Sequence, residues 1–353
     1  METQAQEKMT AKIFVNKVLS GTALGVIIGL IPNAVLSAIL KYFSTVPIAQ
    51  TIIHIAVIFQ LATPLIIGGL IALQFGFKPM QMMVTAGAAF VASGVVTFNT
   101  ELGKYVGAGT GDLINTMLTA AIAVGMLMLI KDRFGSTAVV AMPIVVGVGA
   151  ALIGLLLLPF VKQITTGIGV VINEFTHLQP LLMSILICCS FAFIIISPIS
   201  TVAIGLAIQL NGISAGASAM GVAATAVALV VHSWKVNNSG VTLAIALGAM
   251  KLMMPNVFKY PIILVPCLTT AVISAIPVAL FSVSGTAQSA GFGLVGLVGP
   301  LASIDAGLNI ALAVVVWLIV PILAALASKI VFEKILKLYD SSVVFKFQES
   351  ETK

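Results

Sequence analysis

Long apolar runs fill most of this chain, and only four short stretches interrupt them with polar residues and glycine. These stretches, called polar islands below, are 99–115, 197–201, 232–240 and 284–305. Lipid offers the peptide backbone no hydrogen-bond partner, so loop-like sequence between spanning helices is buried in protein or faces water. The islands therefore predict a wet cavity inside a helical membrane protein, and a polar solute that occupies it.

The continuity of the apolar runs excludes a soluble fold. Hydrophobic residues make up 60% of the chain and charged residues 8%, whereas soluble domains carry about 25% charged residues. Runs such as 244–252 and 310–322 do not alternate between apolar and polar residues, as the strands of a membrane β-barrel do. We predict an all-α, polytopic membrane protein embedded in a lipid bilayer.

Ten apolar runs approach the roughly 20 residues that a spanning helix needs. They are 18–40, 52–74, 80–98, 113–130, 137–160, 181–197, 214–232, 240–254, 261–282 and 306–328. The run at 240–254 is short, and 199–210 has the length of a half-helix. Interrupted apolar segments are typical of broken helices around a transport site. The sequence therefore predicts about ten spans, with re-entrant or broken segments among them.

The basic residues predict the orientation of the chain. The net charge is +6, and most of the 17 lysines and arginines lie in the termini or in loops on the same side as the termini. Cytoplasmic segments carry such an excess, so both termini are predicted to be cytoplasmic. Lysines placed for topology give no indication of a nucleic-acid partner. The predicted organisation is one membrane-embedded domain, 1–338, followed by a short cytoplasmic tail, 339–353.

The first island, 99–115, contains carboxylates that a membrane interior tolerates only with a partner. A charged carboxylate at mid-depth costs about 2.5–3.5 kcal/mol, which a solute or water can offset. The candidate solute-binding residues here are Asn99, Glu101, Thr110, Asp112 and Asn115. A simpler role for Asp112 is to cap the helix predicted to begin at Leu113. Glu101 is also spaced to form an ion pair with Lys104.

The second island, 232–240, is the densest polar cluster of the chain. Sugar recognition uses carboxylates and amides that bond neighbouring hydroxyls, and an aromatic ring against the apolar face of the sugar. His232, Trp234, Asn237 and Asn238 supply polar and aromatic groups of these kinds. The alternative is an exposed loop in which Trp234 belongs to the aromatic belt at the membrane surface.

The third island, 284–305, predicts a re-entrant hairpin with a polar tip and a break at Gly299-Pro300. Its candidate solute-binding residues are Gln288 and Asp305. The many small residues permit close approach of the backbone to a ligand or to another helix. Tight helix packing alone explains the glycines equally well, whereas Gln288 and Asp305 require a further reason.

No pattern in the chain indicates catalysis, a metal or a cofactor. Cys188, Cys189 and Cys267 all lie in apolar runs, where cysteine is usually a packing residue. The histidines and carboxylates do not have the spacing of metal ligands. The glycines of 107–111 are not followed by Gly-Lys-Ser/Thr, so a nucleotide site is not indicated. We predict no catalytic residue, no metal and no cofactor in this chain.

Three stretches resemble one bacterial family. They are 197–204, 107–115 and, above all, 285–293 continuing through Gly299-Pro300. They are similar to the enzyme IIC-like membrane proteins of the phosphoenolpyruvate-dependent sugar phosphotransferase system, some of which are labelled toxin regulators after a perfringolysin regulator protein. The resemblance extends over about 11–338. It implies a sugar-translocating permease of the bacterial plasma membrane, usually a homodimer, that presents its substrate to a separate cytoplasmic IIB subunit carrying the phosphoryl group.

The chain departs from the glucose-type members of that system. The glucose-type members resemble one another in a Gly-Ile-Thr-Glu motif whose glutamate binds sugar. This chain has only Thr100-Glu101, preceded by Phe98-Asn99. That role is therefore not carried over to Glu101. Two alternatives stay open. One is an ion-coupled transporter in which Glu101, Asp112 and Asp305 bind the ion, and the other is a membrane sensor that regulates gene expression without transport.

Overall fold

The computed structural model describes residues 9–40, 43, 45–131 and 133–347. Helices account for nearly all regular structure in this part of the chain, and several of them are long and apolar enough to span a membrane. The predicted fold class, an all-α polytopic membrane protein, is confirmed. Residues 1–8 and the end of the predicted tail, 348–353, lie outside the described residues.

The predicted number of about ten spans is not confirmed. Within the described residues, six helices are long and apolar enough to cross a bilayer, or seven if Pro47–Leu61 and Thr63–Gln74, bent by 48° at their junction, form one span. Three further apolar helices, Pro79–Ala92, Pro180–Ile195 and Val295–Asp305, have only 10–17 residues. An apolar run in the sequence does not tell whether one long helix or a short, broken helix occupies it.

The N-terminal half ends with an unusually long helix. Its helices are α1 (Ala11–Leu40), α2 (Pro47–Leu61), α3 (Thr63–Gln74), α4 (Pro79–Ala92), α5 (Leu113–Ile130), α6 (Ala138–Met142) and α7 (Gly149–Phe175). A 3₁₀ turn, Gly135–Thr137, and a π-helical segment, Pro143–Val148, join with α6 and α7 into one rod of 41 residues. At 1.5 Å per residue, this rod is longer than a bilayer is thick.

A glycine stripe holds α1 against α3. Gly21, Gly25 and Gly29 repeat every four residues and face Ile71, Ile67 and Thr63 in turn. A Cβ atom on Gly25 would lie 2.6 Å from the Cα of Ile67, and one on Gly21 would lie 2.5 Å from the Cα of Ile71. Small residues at this spacing let two helix backbones approach closely in a membrane.

A small β-hairpin runs from the end of the apolar run 80–98 into the first island, where no strand was predicted. The strands β1 (Val96–Asn99) and β2 (Lys104–Gly107) are antiparallel, and Asn99 pairs with Lys104 at the turn. The rings of Phe98 and Tyr105 pack with their centroids 5.2 Å apart. The apolar run predicted as a span over 80–98 therefore ends as a helix at Ala92 and continues as a strand.

The C-terminal half is built around α10, which is buried along almost its whole length. Its α-helices are α8 (Pro180–Ile195), α9 (Thr201–Ala207), α10 (Gly212–Ser233), α11 (Ser239–Ala246), α12 (Met254–Lys259), α13 (Leu264–Leu280), α14 (Val298–Asp305), α15 (Ile310–Val314), α16 (Val320–Lys329) and α17 (Ser341–Val344). Three 3₁₀ segments lie between them, Met250–Met253, Pro261–Ile263 and Val295–Leu297, and two π-helical segments are Val315–Ile319 and Ile330–Ile335. Helices α8, α13 and α16 surround α10.

The breaks between the helices of this half include 196–200, 247–249 and 281–297. The short helix expected near 199–210 is confirmed: it is α9, which begins directly after the first break. The break predicted at Gly299-Pro300 is wrong, because α14 runs through both residues. The chain turns just before them, where Gly296 and Leu297 have φ of 57° and 58°. Pro300 lies in the first turn of the new helix, where a missing N–H costs no hydrogen bond.

Buried apolar residues form clusters within each half, and a further small cluster of Leu19, Ala23 and Met254 joins the two halves. One large cluster draws on residues from 172 to 345, and two smaller ones lie within 18–151. Irregular segments of both halves, including 93–94, 108–112 and Ser200, line one common cavity.

Candidate functional site

A cavity of about 360 Å³ lies where the two halves meet. Its wall consists of parts of helices α1, α2, α7 and α9, the loops on either side of the β-hairpin, and one residue each from the breaks 196–200 and 281–297. The lining residues are Leu30, Gln60, Ser93, Gly94, Ala108, Gly109, Thr110, Gly111, Asp112, Lys162, Ser200, Val202 and Phe292. Three of the four polar islands thus contribute to one cavity: 99–115, 197–201 and 284–305.

Backbone hydrogen bonds fasten the glycine-rich wall to the end of α4. The amide of Asp112 donates to the carbonyl of Ser93 at 2.8 Å, and the amide of Ala108 donates to the carbonyl of Val95 at 2.9 Å. Gly111 has φ of 65°, and a Cβ atom there would lie 2.7 Å from the Cβ of Ser93. Only glycine fits this approach, so the glycines of the island shape the cavity wall.

Asp112 lies in the wall and also caps α5. Its Oδ1 accepts the amide hydrogen of Asn115 at 2.8 Å, which confirms the capping role predicted for it. Burial raises the pKa of the Asp112 carboxyl, while the amide bond from Asn115 and the charge of Lys162 lower it in part. A carboxylate at a helix N-terminus is stabilised by the helix dipole, and its second oxygen can accept a hydrogen bond from a ligand.

The remaining polar groups of the cavity come from distant parts of the chain. Gln60 brings an amide that is itself bonded to the side-chain amide of Asn33. Lys162, on the exposed face of α7, brings an ammonium group. Thr110 and Ser200 add hydroxyls, and Phe292 adds an aromatic ring. A carboxylate, an amide, hydroxyls and a ring are the group types that bind a polyhydroxylated solute.

A second, smaller cavity of about 60 Å³ adjoins the first. The two cavities share Leu30, Ser200, Val202 and Phe292 as lining residues. Lys251, in the 3₁₀ segment Met250–Met253, lines only the smaller one. The smaller cavity therefore extends the larger one toward a buried lysine.

Lys251 fastens the break that separates α8 from α9. Only 6% of its surface is exposed. Its Nζ donates to the carbonyl of Ser197, and to the carbonyl of Ile199 at 2.9 Å. The hydroxyl of Thr201 donates to the carbonyl of Gly291 at 2.9 Å. These bonds hold three interrupted segments of the C-terminal half together beside the cavities.

Of the five residues predicted in the first island, the structure places two in the cavity wall, Thr110 and Asp112. Asn115 is fully buried behind the wall, and its Nδ2 donates to the carbonyls of Ala92 at 2.7 Å and Gly154 at 2.9 Å. Asn99 and Glu101 lie at the turn of the hairpin, outside the wall. Glu101 is exposed, and Oδ1 of Asn99 accepts the amide hydrogen of Leu102 at 2.9 Å.

The second island does not line this cavity. It holds the C-terminal segment 339–347 instead. Nδ2 of Asn237 donates to the carbonyl of Phe345 at 2.9 Å, and its Oδ1 accepts the amide hydrogen of Phe347 at 2.7 Å. The ring of His232 stacks on Phe345 with the centroids 4.9 Å apart. Nδ2 of Asn256 donates to the carbonyls of Val344 and Lys346 at 2.9 and 2.8 Å.

The other residues predicted in the second and third islands lie at the protein surface. Trp234 is 68% exposed. Asn238 caps α11 by accepting the amide hydrogen of Val241 at 2.8 Å. Gln288 and Asp305 are exposed and are not among the lining residues of the cavity.

Sequence reasoning missed Gln60, Lys162, Phe292 and Lys251 as cavity residues. Gln60 and Lys251 each interrupt an apolar run as single polar residues, and that isolation was the available signal. Phe292 and Lys162 carry no such signal. Among the described residues, no three His, Cys, Asp or Glu side chains are grouped so that they could hold a metal ion.

Comparison with known proteins gives one match. The family model described as "Phosphotransferase system, EIIC" matches residues 16–345, which is nearly the whole chain. No curated protein and no solved structure matches.

Proposed function

The chain belongs to the EIIC family of the phosphotransferase system, and we propose that it is the sugar-translocating permease subunit of such a system. Its substrate is a sugar or a sugar-like polar solute bound in the cavity between the two halves. The subunit resides in the bacterial plasma membrane as a homodimer with both termini in the cytoplasm, and residues 1–338 act as one transport domain.

The cavity itself is the observation that carries this proposal. Its volume of about 360 Å³ is within the range of small-molecule sites. Asp112 and Gln60 offer hydrogen-bond acceptors to neighbouring hydroxyls, and the amide of Gln60 also donates. The hydroxyl of Thr110 donates to the carbonyl of Gly111 at 3.2 Å and can accept a hydrogen bond from the solute. Phe292 presents an apolar face in the same wall. These groups suit a ring with polar edges and apolar faces better than they suit a bare ion.

Alternating access supplies the transport step. The cavity wall is made of irregular segments from both halves, and broken helices at such an interface are the parts that rearrange in transporters. A rigid-body shift of one half against the other opens the cavity to the opposite side of the membrane. A separate IIB subunit then transfers its phosphoryl group to the sugar. In this chain, Asp112 holds a hydroxyl and orients the sugar for that transfer.

The ion-coupled alternative lacks its expected site. It required Glu101, Asp112 and Asp305 to converge, but only Asp112 lines the cavity. Glu101 lies in the exposed hairpin turn, and Asp305 ends α14 at the surface. The sensor alternative shares the solute cavity and differs in predicting no flux.

Uptake into right-side-out membrane vesicles tests the proposal. Vesicles that contain the protein are loaded, or not loaded, with phosphoenolpyruvate and the soluble phosphotransferase proteins, and labelled sugars and sugar acids are then added outside. We expect accumulation of a phosphorylated product that requires both additions and survives a proton ionophore. Accumulation that collapses with the ionophore and ignores phosphoenolpyruvate supports ion coupling, and binding without flux supports a sensor.

A further inference from the structure

We propose that the transported solute is acidic: a sugar acid or a related hydroxylated carboxylate whose anionic group binds at Lys251. This inference rests on the proposed function and names the substrate class for that site. Three observations carry it: the isolation of the Lys251 charge, its place beside the smaller cavity, and the balance of charge around both cavities.

The charge of Lys251 has no counter-charge in the described part of the chain. No described carboxylate forms an ion pair with it, and its hydrogen-bond partners are the two backbone carbonyls of Ser197 and Ile199. An ammonium group removed from water is costly unless a charge or several dipoles compensate it. The two carbonyls, in the break that follows α8, compensate it only in part.

Lys251 lines the smaller cavity and has one N–H donor beyond the two that bond to Ser197 and Ile199. An ammonium group has three N–H donors, and two of them are used. The cavity that Lys251 lines measures about 60 Å³, several times the roughly 10–15 Å³ that one water needs. This space accepts a carboxylate, and it is continuous in its lining with the larger cavity at Ser200 and Phe292.

The two cavities together have more positive than negative charge. The charged residues among their lining are Lys162 and Asp112 in the larger cavity and Lys251 in the smaller one. The Asp112 carboxylate is already engaged with the amide of Asn115 at the positive end of α5. A neutral sugar would leave the Lys251 charge as it is, whereas a sugar acid pairs with it while its hydroxyls contact Asp112, Gln60 and Thr110.

Matched ligands test the inference on the native protein. Binding of glucuronate, of its neutral isostere glucuronamide and of glucose is measured by calorimetry with the purified full-length protein. Galacturonate, galacturonamide and galactose form a second series. We expect the acid of at least one series to bind about tenfold tighter, or more, than its amide. Equal or tighter binding of the amide or the neutral sugar in both series overturns the inference.

Two variants then test whether Lys251 causes the preference for the acid over its amide. Lys251→Met is expected to remove most of the preference for the acid over the amide, while Lys235→Met, an exposed lysine elsewhere, leaves it intact. An unchanged preference in folded Lys251→Met means that Lys251 only supports the break, which overturns the inference. If Lys251→Met does not fold, the native comparison of acid and amide still decides.

The same ligands separate this inference from the proposed function. Phosphoenolpyruvate-dependent uptake of neutral sugars alone overturns the acidic substrate and leaves the permease standing. Acid uptake driven only by a proton gradient supports the substrate class and contradicts the phosphotransferase role.

Discussion

The cavity wall 107–112 and the second island, 232–240, both interrupt apolar sequence with polar residues, and they differ in what they face. The first is held in place by backbone bonds to the end of α4 and leaves Thr110 and Asp112 facing a cavity. The second directs Asn237 and His232 at the chain's own C-terminal segment. Polar residues in a membrane protein require a partner, but that partner is either a solute or another part of the same chain.

The largest expected effect tests the second island as a structural clasp. Phe345 is fully buried against His232 and Tyr339. Phe345→Ala should lower the free energy of unfolding by about 3–5 kcal/mol, because it opens a cavity in a packed site. Unfolding in mixed micelles measures this loss. Solute affinity of the folded fraction should stay unchanged, and a fall in affinity at constant stability would place the clasp in the binding site instead.

A substitution at Asp112 tests the cavity wall and separates its two roles. Asp112→Ser keeps a good helix cap and removes the carboxylate. Losing one hydrogen bond to a charged group should cost about 1.5–3 kcal/mol in affinity, or roughly tenfold to more than hundredfold in the dissociation constant. Calorimetry and vesicle uptake measure the loss. Thermal stability should match that of the native protein, and normal uptake by the variant would remove Asp112 from the site.

Asn237 gives the matching test within the clasp. Asn237→Ala removes both bonds to the C-terminal segment, to Phe345 and Phe347. The affected backbone groups are only partly buried, so the expected loss of stability is about 1 kcal/mol. Proteolysis of the C-terminal segment should become faster, as measured by the release of a C-terminal tag. A loss of solute binding without faster proteolysis would contradict this assignment.

The smallest effect is expected at the hairpin turn and the exposed loop. Glu101→Gln and Trp234→Phe change exposed side chains, and such changes stay within about ±0.5 kcal/mol. Uptake and stability should both remain at native levels. A strong uptake defect in Glu101→Gln would revive the three-carboxylate ion site.

Local features of this fold were predictable from sequence, whereas long-range pairings were not. The start of α5 and the cap by Asp112 follow from adjacent residues, and both were predicted. Asn237 bonds to Phe345, 108 positions away, and Lys251 bonds to Ser197, 54 positions away. No spacing rule links such residues. The hairpin β1–β2 escaped prediction because its two four-residue strands, one at the end of an apolar run and one in the glycine-rich island, lack a long alternating pattern.

The residues that line the cavity were therefore only partly predictable from the sequence. Thr110 and Asp112 stood out because polar residues cluster around them. Gln60 and Lys162 belong to helices that pack beside that cluster only in the folded protein. Their contribution depends on how α2 and α7 meet the loop, and this is a property of packing rather than of local sequence.

Solute protection of single cysteines tests most directly that the cavity between the halves is the solute site. Thr110→Cys and Asn238→Cys are made in a background whose three native cysteines are replaced by alanine, and each is modified with a small maleimide. The probe is whichever sugar or sugar acid binds in the calorimetric series. The solute should slow modification at position 110 and leave the rate at position 238 unchanged. Protection at 238 with none at 110 would contradict the account.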